Sequence, residues 1–190
     1  MSKTREKIAN RFRSKKDKKE IFSDLDRKTR QEQIEKIKEK ALTTLDIEKF
    51  LNRTKNFLGV FASNEIENIR IINFPAFLIS NLDVSSSPGS HWICVRVDRY
   101  SIEIFDSLGF DQKLWGKFPF GLQKFLSRYR LTHRFYFSPV LQPCFTQDCG
   151  FYCIFFVLYR SMYSFHDCTA MFSRVLTKNH KILINKLISF

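Results

Sequence analysis

The segment Cys149–Tyr159, CGFYCIFFVLY, is the longest apolar stretch of the chain and is closed by Arg160. It falls well short of the roughly 20 residues a membrane span needs. An apolar run of this kind reads as a helix buried in a core, starting at or just before Cys149 and running through Arg160. Such a helix needs apolar material on every side. The chain supplies it, with 44% hydrophobic residues and 21 Phe, most of them beyond position 50. At 190 residues and 27% charged, the sequence suits one domain with an appendage and excludes wholesale disorder or a collagen-like repeat.

The appendage is visible in the charge. Residues 1–19 carry nine Lys or Arg against Glu6 and Asp17, a net +7 out of the chain's +13. Residues 20–40 balance six acids with six bases, so the remaining +6 lies over positions 41–190. Residues 27–42, RKTRQEQIEKIKEKAL, are strong helix formers with neighbouring Glu and Lys, as expected of a solvated connecting helix. Residues 1–42 therefore read as a basic tail with a connecting helix, and 43–190 as the folded domain. The basic run is a solvated tail, or a contact for nucleic acid or nuclear import. The cysteines number five, and nothing at the amino terminus resembles a signal peptide, so an intracellular, reducing setting is expected.

A helix is expected over 44–58, capped by Thr44 or Asp46 and ended by Gly59. Phe77–Asp83, Trp92–Val97 and Ile102–Asp106 read as strands, with a hairpin turn at Asp98–Tyr100 and a further short strand at Arg134–Ser138. Residues 111–130 read as helical with an interruption at Pro119–Gly121, and apolar helical segments near 167–176 and 179–189 finish the chain. The class is α+β, with a central, mostly antiparallel sheet packed against the Cys149 helix.

Three pieces carry candidate chemistry: Gly89-Ser-His-Trp92, Phe105-Asp-Ser-Leu-Gly109, and Leu141-Gln-Pro-Cys-Phe-Thr-Gln-Asp-Cys-Gly150. His91 would start one strand and Asp106 end its hairpin partner, bringing a carboxylate within reach of an imidazole. Cys149 would stand at a helix N-terminus, which favours a thiolate, and a neighbouring imidazolium favours it further. The amide of Gln142 and the backbone N–H of Cys149 can both donate to an oxyanion, and Gly150 permits close backbone approach behind the nucleophile. Together these parts make a Cys-His-Asp acyl-transfer site with an oxyanion hole.

The order His-Trp, an acid about fifteen residues on, then Gln-x6-Cys-Gly resembles the adenovirus protease family and its relatives in Maverick/Polinton DNA transposons, within the clan that includes SUMO-specific proteases. The resemblance covers roughly residues 43–170 and takes in FLGVF at 57–61, ISN at 79–81 and PGSHW at 88–92. It implies a papain-like, adenovirus-protease-like cysteine protease fold, with His91 as general base, Asp106 as its partner, Gln142 as oxyanion donor and Cys149 as nucleophile. Trp92 would pack beside His91 and shape the cleft. The Gln-to-Cys spacing matches the adenoviral pattern, whereas Asp106 replaces the Glu of adenoviral enzymes. The family matures virion proteins and is stimulated by DNA and by a viral peptide that can be disulfide-linked. The resemblance thus implies a monomeric thiol endopeptidase acting on capsid or core precursors in a host nucleus or virion, with no membrane association and no required cofactor. DNA stimulation agrees with the basic charge. No cysteine stands where the peptide link is expected, because Cys144 is only five residues before Cys149.

Other readings of the same residues are a ubiquitin- or SUMO-like deconjugating protease, and a catalytically idle DNA-binding module that keeps the fold. Cys94, Cys153 and Cys168 read as core cysteines. Cys144, Cys149, Cys153 and His166 miss the paired spacing of structural zinc. Gln147 is a rival to Gln142, and His133, His166 and His180 show no matching acid in the sequence.

Overall fold

A computed structural model describes residues 32, 41–109 and 116–190 of the chain. The basic run, nearly all of the connecting helix and residues 110–115 lie outside the described residues. Residues 41–43 are not helical, so the helix expected over 27–42 does not extend to its predicted end. Leu42 is 3% exposed and belongs to the core.

Helix α1 (Thr44–Leu51) is capped by Thr43, not by the expected Thr44 or Asp46. Thr43 and Asp46 form a reciprocal capping box that satisfies donors at the helix start. The helix stops well short of residue 58, because Asn56 takes a positive φ of 66° and Phe57–Phe61 forms strand β1 instead. Gly59 therefore ends no helix. It sits inside β1 at φ 137°, where the register with the next strand shifts between Phe57 and Val60.

Strands β2 (Ala76–Asn81), β3 (Trp92–Val97) and β4 (Ser101–Phe105) form an antiparallel meander, and β5 (Arg134–Phe137) completes a sheet of order β1-β2-β3-β4-β5. Both outer pairings are parallel, so the sheet is mixed and the expectation of a mostly antiparallel one is corrected. The connections explain this. Parallel neighbours need a long crossover, and residues 62–75 and 106–133 supply one at each edge. The second carries helix α2 (Phe120–Ser127), whose N-cap is Pro119. Pro119–Gly121 therefore begins a helix, since the first turn tolerates a residue without an N–H.

Strand alternation divides the interior into two layers. Leu78, Ile93, Val95, Val97, Ile102 and Ile104 face α2. Phe77, Ile79, Cys94 and Phe105 face the opposite way, onto α3 (Cys149–Tyr159), the predicted buried helix. Its residues Phe151–Val157 are all buried, and Phe156 stacks on Phe105 at 4.3 Å between ring centroids. Helices α4 (Phe165–Ala170) and α5 (Asn179–Ser189) cover the outer side of α3. The arrangement is α+β, with the apolar helix wedged between sheet and outer helices. No described helix is long and apolar enough to cross a membrane.

Polar groups also cross the α3 layer. The buried Glu103 carboxylate accepts from Arg96 at 3.0 Å and from Arg160, at the end of α3, at 2.7 and 2.8 Å. Arg96 also reaches Asp98 at 2.6 Å.

Candidate active site

His91 immediately precedes β3, and the loop before it is held by one side chain. Asn81, at the end of β2, is 6% exposed, and its Oδ1 accepts from the N–H groups of Asp83 (2.9 Å) and Ser90 (3.3 Å). Gly89 passes over this amide at φ 90°, where a Cβ would lie 2.6 Å from Asn81 Nδ2. A side chain there meets both backbone strain and a clash. The ISN and PGSHW pieces are thus one unit that delivers His91.

Asp106 follows β4. Its Oδ1 lies 2.7 Å from His91 Nε2 and accepts from Leu108 N–H at 2.9 Å. Ser138, after β5, exchanges hydrogen bonds with the Asp106 backbone at 2.8 and 2.6 Å, which fixes the main chain that carries this buried carboxylate. Cys149, which lines the same cleft, is the other side chain that favours the charged imidazole. With Nε2 engaged by Asp106, Nδ1 is the nitrogen left for the thiol. Burial alone would push the His91 pKa down; the hydrogen bond to Asp106, the nearby Cys149 side chain and the charges of both outweigh it and hold it up to about 9.

Cys149 is the first residue of α3, where an N–H has no intrahelical acceptor, and it is 7% exposed. Directly behind it, a Cβ on Gly150 would lie 2.9 Å from Leu42 Cβ. The close approach expected at Gly150 is therefore that of Leu42. The Leu42 carbonyl accepts from Trp92 Nε1 at 2.9 Å, which ties the wall beside His91 to the chain behind Cys149.

Gln142 is 2% exposed and its amide is oriented from both sides. Its Nε2 donates to the Thr146 carbonyl at 2.8 Å, and its Oε1 accepts from Ser107 Oγ at 2.6 Å. Because a carbonyl only accepts, the nitrogen must face Thr146, and its second proton has no protein acceptor among the described residues. His91, Trp92, Gln142, Cys144, Gln147 and Cys149 share a cleft of about 620 Å³. The rival Gln147 is exposed on its rim.

All four sequence candidates thus meet at one cleft, with Asp106 behind the imidazole. Sequence reasoning missed their supports: Asn81, Ser107, Ser138 and Asp148. It also misjudged two histidines. His180 Nδ1 lies 3.0 Å from the buried Asp148 carboxylate, so it has an acid that a separation of 32 positions hides, and exposed His166 lies 3.9 Å from exposed Asp167. Cys94, Cys153 and Cys168 are buried free thiols, and burial pushes their pKa values up, that of Cys168 to about 11. Among the described residues no three His, Cys, Asp or Glu side chains converge to hold a metal.

The chain matches no protein-family model and no curated protein.

Proposed function

We propose that the chain is a cysteine endopeptidase of the adenovirus protease type that cleaves virus-like structural precursor proteins. The observation carrying this reading is a single imidazole that is hydrogen-bonded to a buried carboxylate and shares a cleft with a cysteine at a helix N-terminus and with Gln142. His91 takes the Cys149 proton, and Asp106 stabilises the imidazolium that results. The thiolate attacks the scissile carbonyl. The oxyanion is met by the free Nε2 proton of Gln142 and the backbone N–H of Cys149. His91 then returns its proton to the leaving amine, and water attacks the thioester with the same imidazole as base.

The resemblance of the ordered motifs supports the adenoviral type and a virion-precursor substrate. The net charge of +13 supports DNA as the accessory that concentrates the enzyme on its substrates. Co-expression of wild type or Cys149→Ala with a capsid precursor tests the reading: wild type should process the precursor and the variant should not. Processing by Cys149→Ala refutes it, and labelling of Cys149 by a C-terminal ubiquitin or SUMO probe moves the substrate to such conjugates.

A further inference from the structure

The loop from Leu141 to Cys149 carries both oxyanion donors, and the first two residues of α5 grip it at both ends. Asn179 is completely buried, and its Nδ2 donates to the Leu141 carbonyl at 2.8 Å and to the Ser173 carbonyl at 3.0 Å. Its Oδ1 accepts from Ser173 N–H at 2.7 Å, so the whole amide is engaged. Tyr152 Oη donates to the same Leu141 carbonyl at 3.0 Å. The N–H of that peptide unit, which belongs to Gln142, donates to the Ser107 carbonyl at 2.8 Å. The peptide plane leading into Gln142 is thus fixed at its oxygen and at its nitrogen.

At the other end, His180 Nδ1 meets Asp148 Oδ2 at 3.0 Å. Asp148 is the N-cap of α3, yet its side chain makes no capping bond to the helix. Its carboxylate points instead to α5, and the peptide unit after it presents the Cys149 N–H. Asn179 therefore governs the side-chain donor and His180 the backbone donor.

We propose that Asn179 and His180 are positioning residues that set the separation of the two oxyanion donors. The proposal rests on the protease reading, and it assigns α5 a part in transition-state stabilisation although neither residue lines the cleft. A loop of Pro143, Cys144, Phe145 and Thr146, partly exposed, would otherwise leave the two donors free to drift apart.

The test compares two reactions of Cys149 that differ in their need for an oxyanion hole. Acylation by p-nitrophenyl acetate forms an acetyl thioester with release of p-nitrophenolate and passes through an oxyanion. Alkylation by iodoacetamide forms a thioether with release of iodide at a tetrahedral carbon and develops none. Both are followed in the full-length protein by mass at the Cys149 peptide after acid quenching, which separates Cys149 from exposed Cys144. Removing an oxyanion donor outright costs about 100- to 1,000-fold, so loosening one should lower acylation by about 10-fold. His180→Ala should show that loss with alkylation unchanged, and His180→Asn, whose amide nitrogen can replace Nδ1 as donor, should restore it. Asn179→Asp, which turns the Leu141 donor into an acceptor, should behave as His180→Ala does. His180 is partly exposed, so its variants keep the test readable if Asn179→Asp fails to fold. Equal acylation by wild type and His180→Ala, or a parallel fall in alkylation, overturns the positioning role alone. A wild type that is alkylated at Cys149 but never acylated overturns the protease reading and the positioning role with it.

Discussion

The imidazole of His91 makes the protein's stability depend on pH in a way one substitution can isolate. An ordinary histidine titrates at 6.5, whereas His91 is held up to about 9, and that gap corresponds to about 3 kcal/mol. The side chain is only 11% exposed, so solvent screening takes little from this figure. The folded state binds the proton more tightly than the unfolded chain does. The increment is therefore fully present below the unfolded value of 6.5 and is lost as pH rises through about 9. Asp106→Asn keeps an oxygen for Nε2 and removes the charge. What remains is burial, which pushes the imidazole pKa down, together with Cys149. Urea unfolding of both proteins from pH 6 to pH 10 should show wild type losing about 2 to 3 kcal/mol more than the variant across that interval, since other titrating groups are common to both. The imidazole proton resonances should move with the same midpoints. Equal pH profiles for the two proteins would refute the assignment of the raised affinity to Asp106.

Two other substitutions test the supports of the site. Glu103→Ala leaves buried Arg96 without its 3.0 Å partner and should cost about 3 to 5 kcal/mol in urea unfolding, with Glu103→Gln milder. Gly150→Ala forces a Cβ to 2.9 Å from Leu42 Cβ, where the branched side chain has no room to retreat within the core. It should lower stability by about 1 to 3 kcal/mol, read as a lower unfolding midpoint.

The parts of this fold that were legible from the sequence are those where one local pattern decides. The run Cys149–Tyr159 has only one physical home, and Trp92–Val97 matches its strand to the residue because apolar residues on both faces are bounded by a loop and a turn. Where two patterns compete locally, reading failed. Phe57 and Leu58 continue the helical spacing of α1, and the strand wins through its long-range parallel pairing with Phe77–Ser80. The same limit applies to the site. His91, Asp106, Gln142 and Cys149 are found because their chemistry is distinctive. Their supports are not, because Ser107 lies 35 positions from Gln142 and His180 lies 32 from Asp148, and serine or histidine alone announces nothing.

The two halves of the candidate site belong to different elements, so their alignment is a packing problem. His91 and Asp106 extend from the β3-β4 meander, while Cys149 is the tip of a helix of 11 residues, about 16 Å long. A rod of that length can slide or swing unless it is fixed at more than one point. Near its start, Gly150 seats against Leu42, whose carbonyl is tied to Trp92 beside the imidazole. Midway, Phe156 stacks on Phe105, the residue just before Asp106. At its end, Arg160 grips Glu103 on the same strand with two hydrogen bonds. The last two ties go directly to β4, which leads into the carboxylate, and the first reaches the imidazole's neighbour Trp92 through Leu42. Arg160 and Glu103 thus act on the position of Cys149 from the far end of the helix, which gives a physical reason for placing a charged network in an otherwise apolar layer. An apolar contact there would bury as much surface but leave the register of the rod along the strand to shape alone. The directional Arg160–Glu103 bonds fix it, and with it the distance from thiol to imidazole.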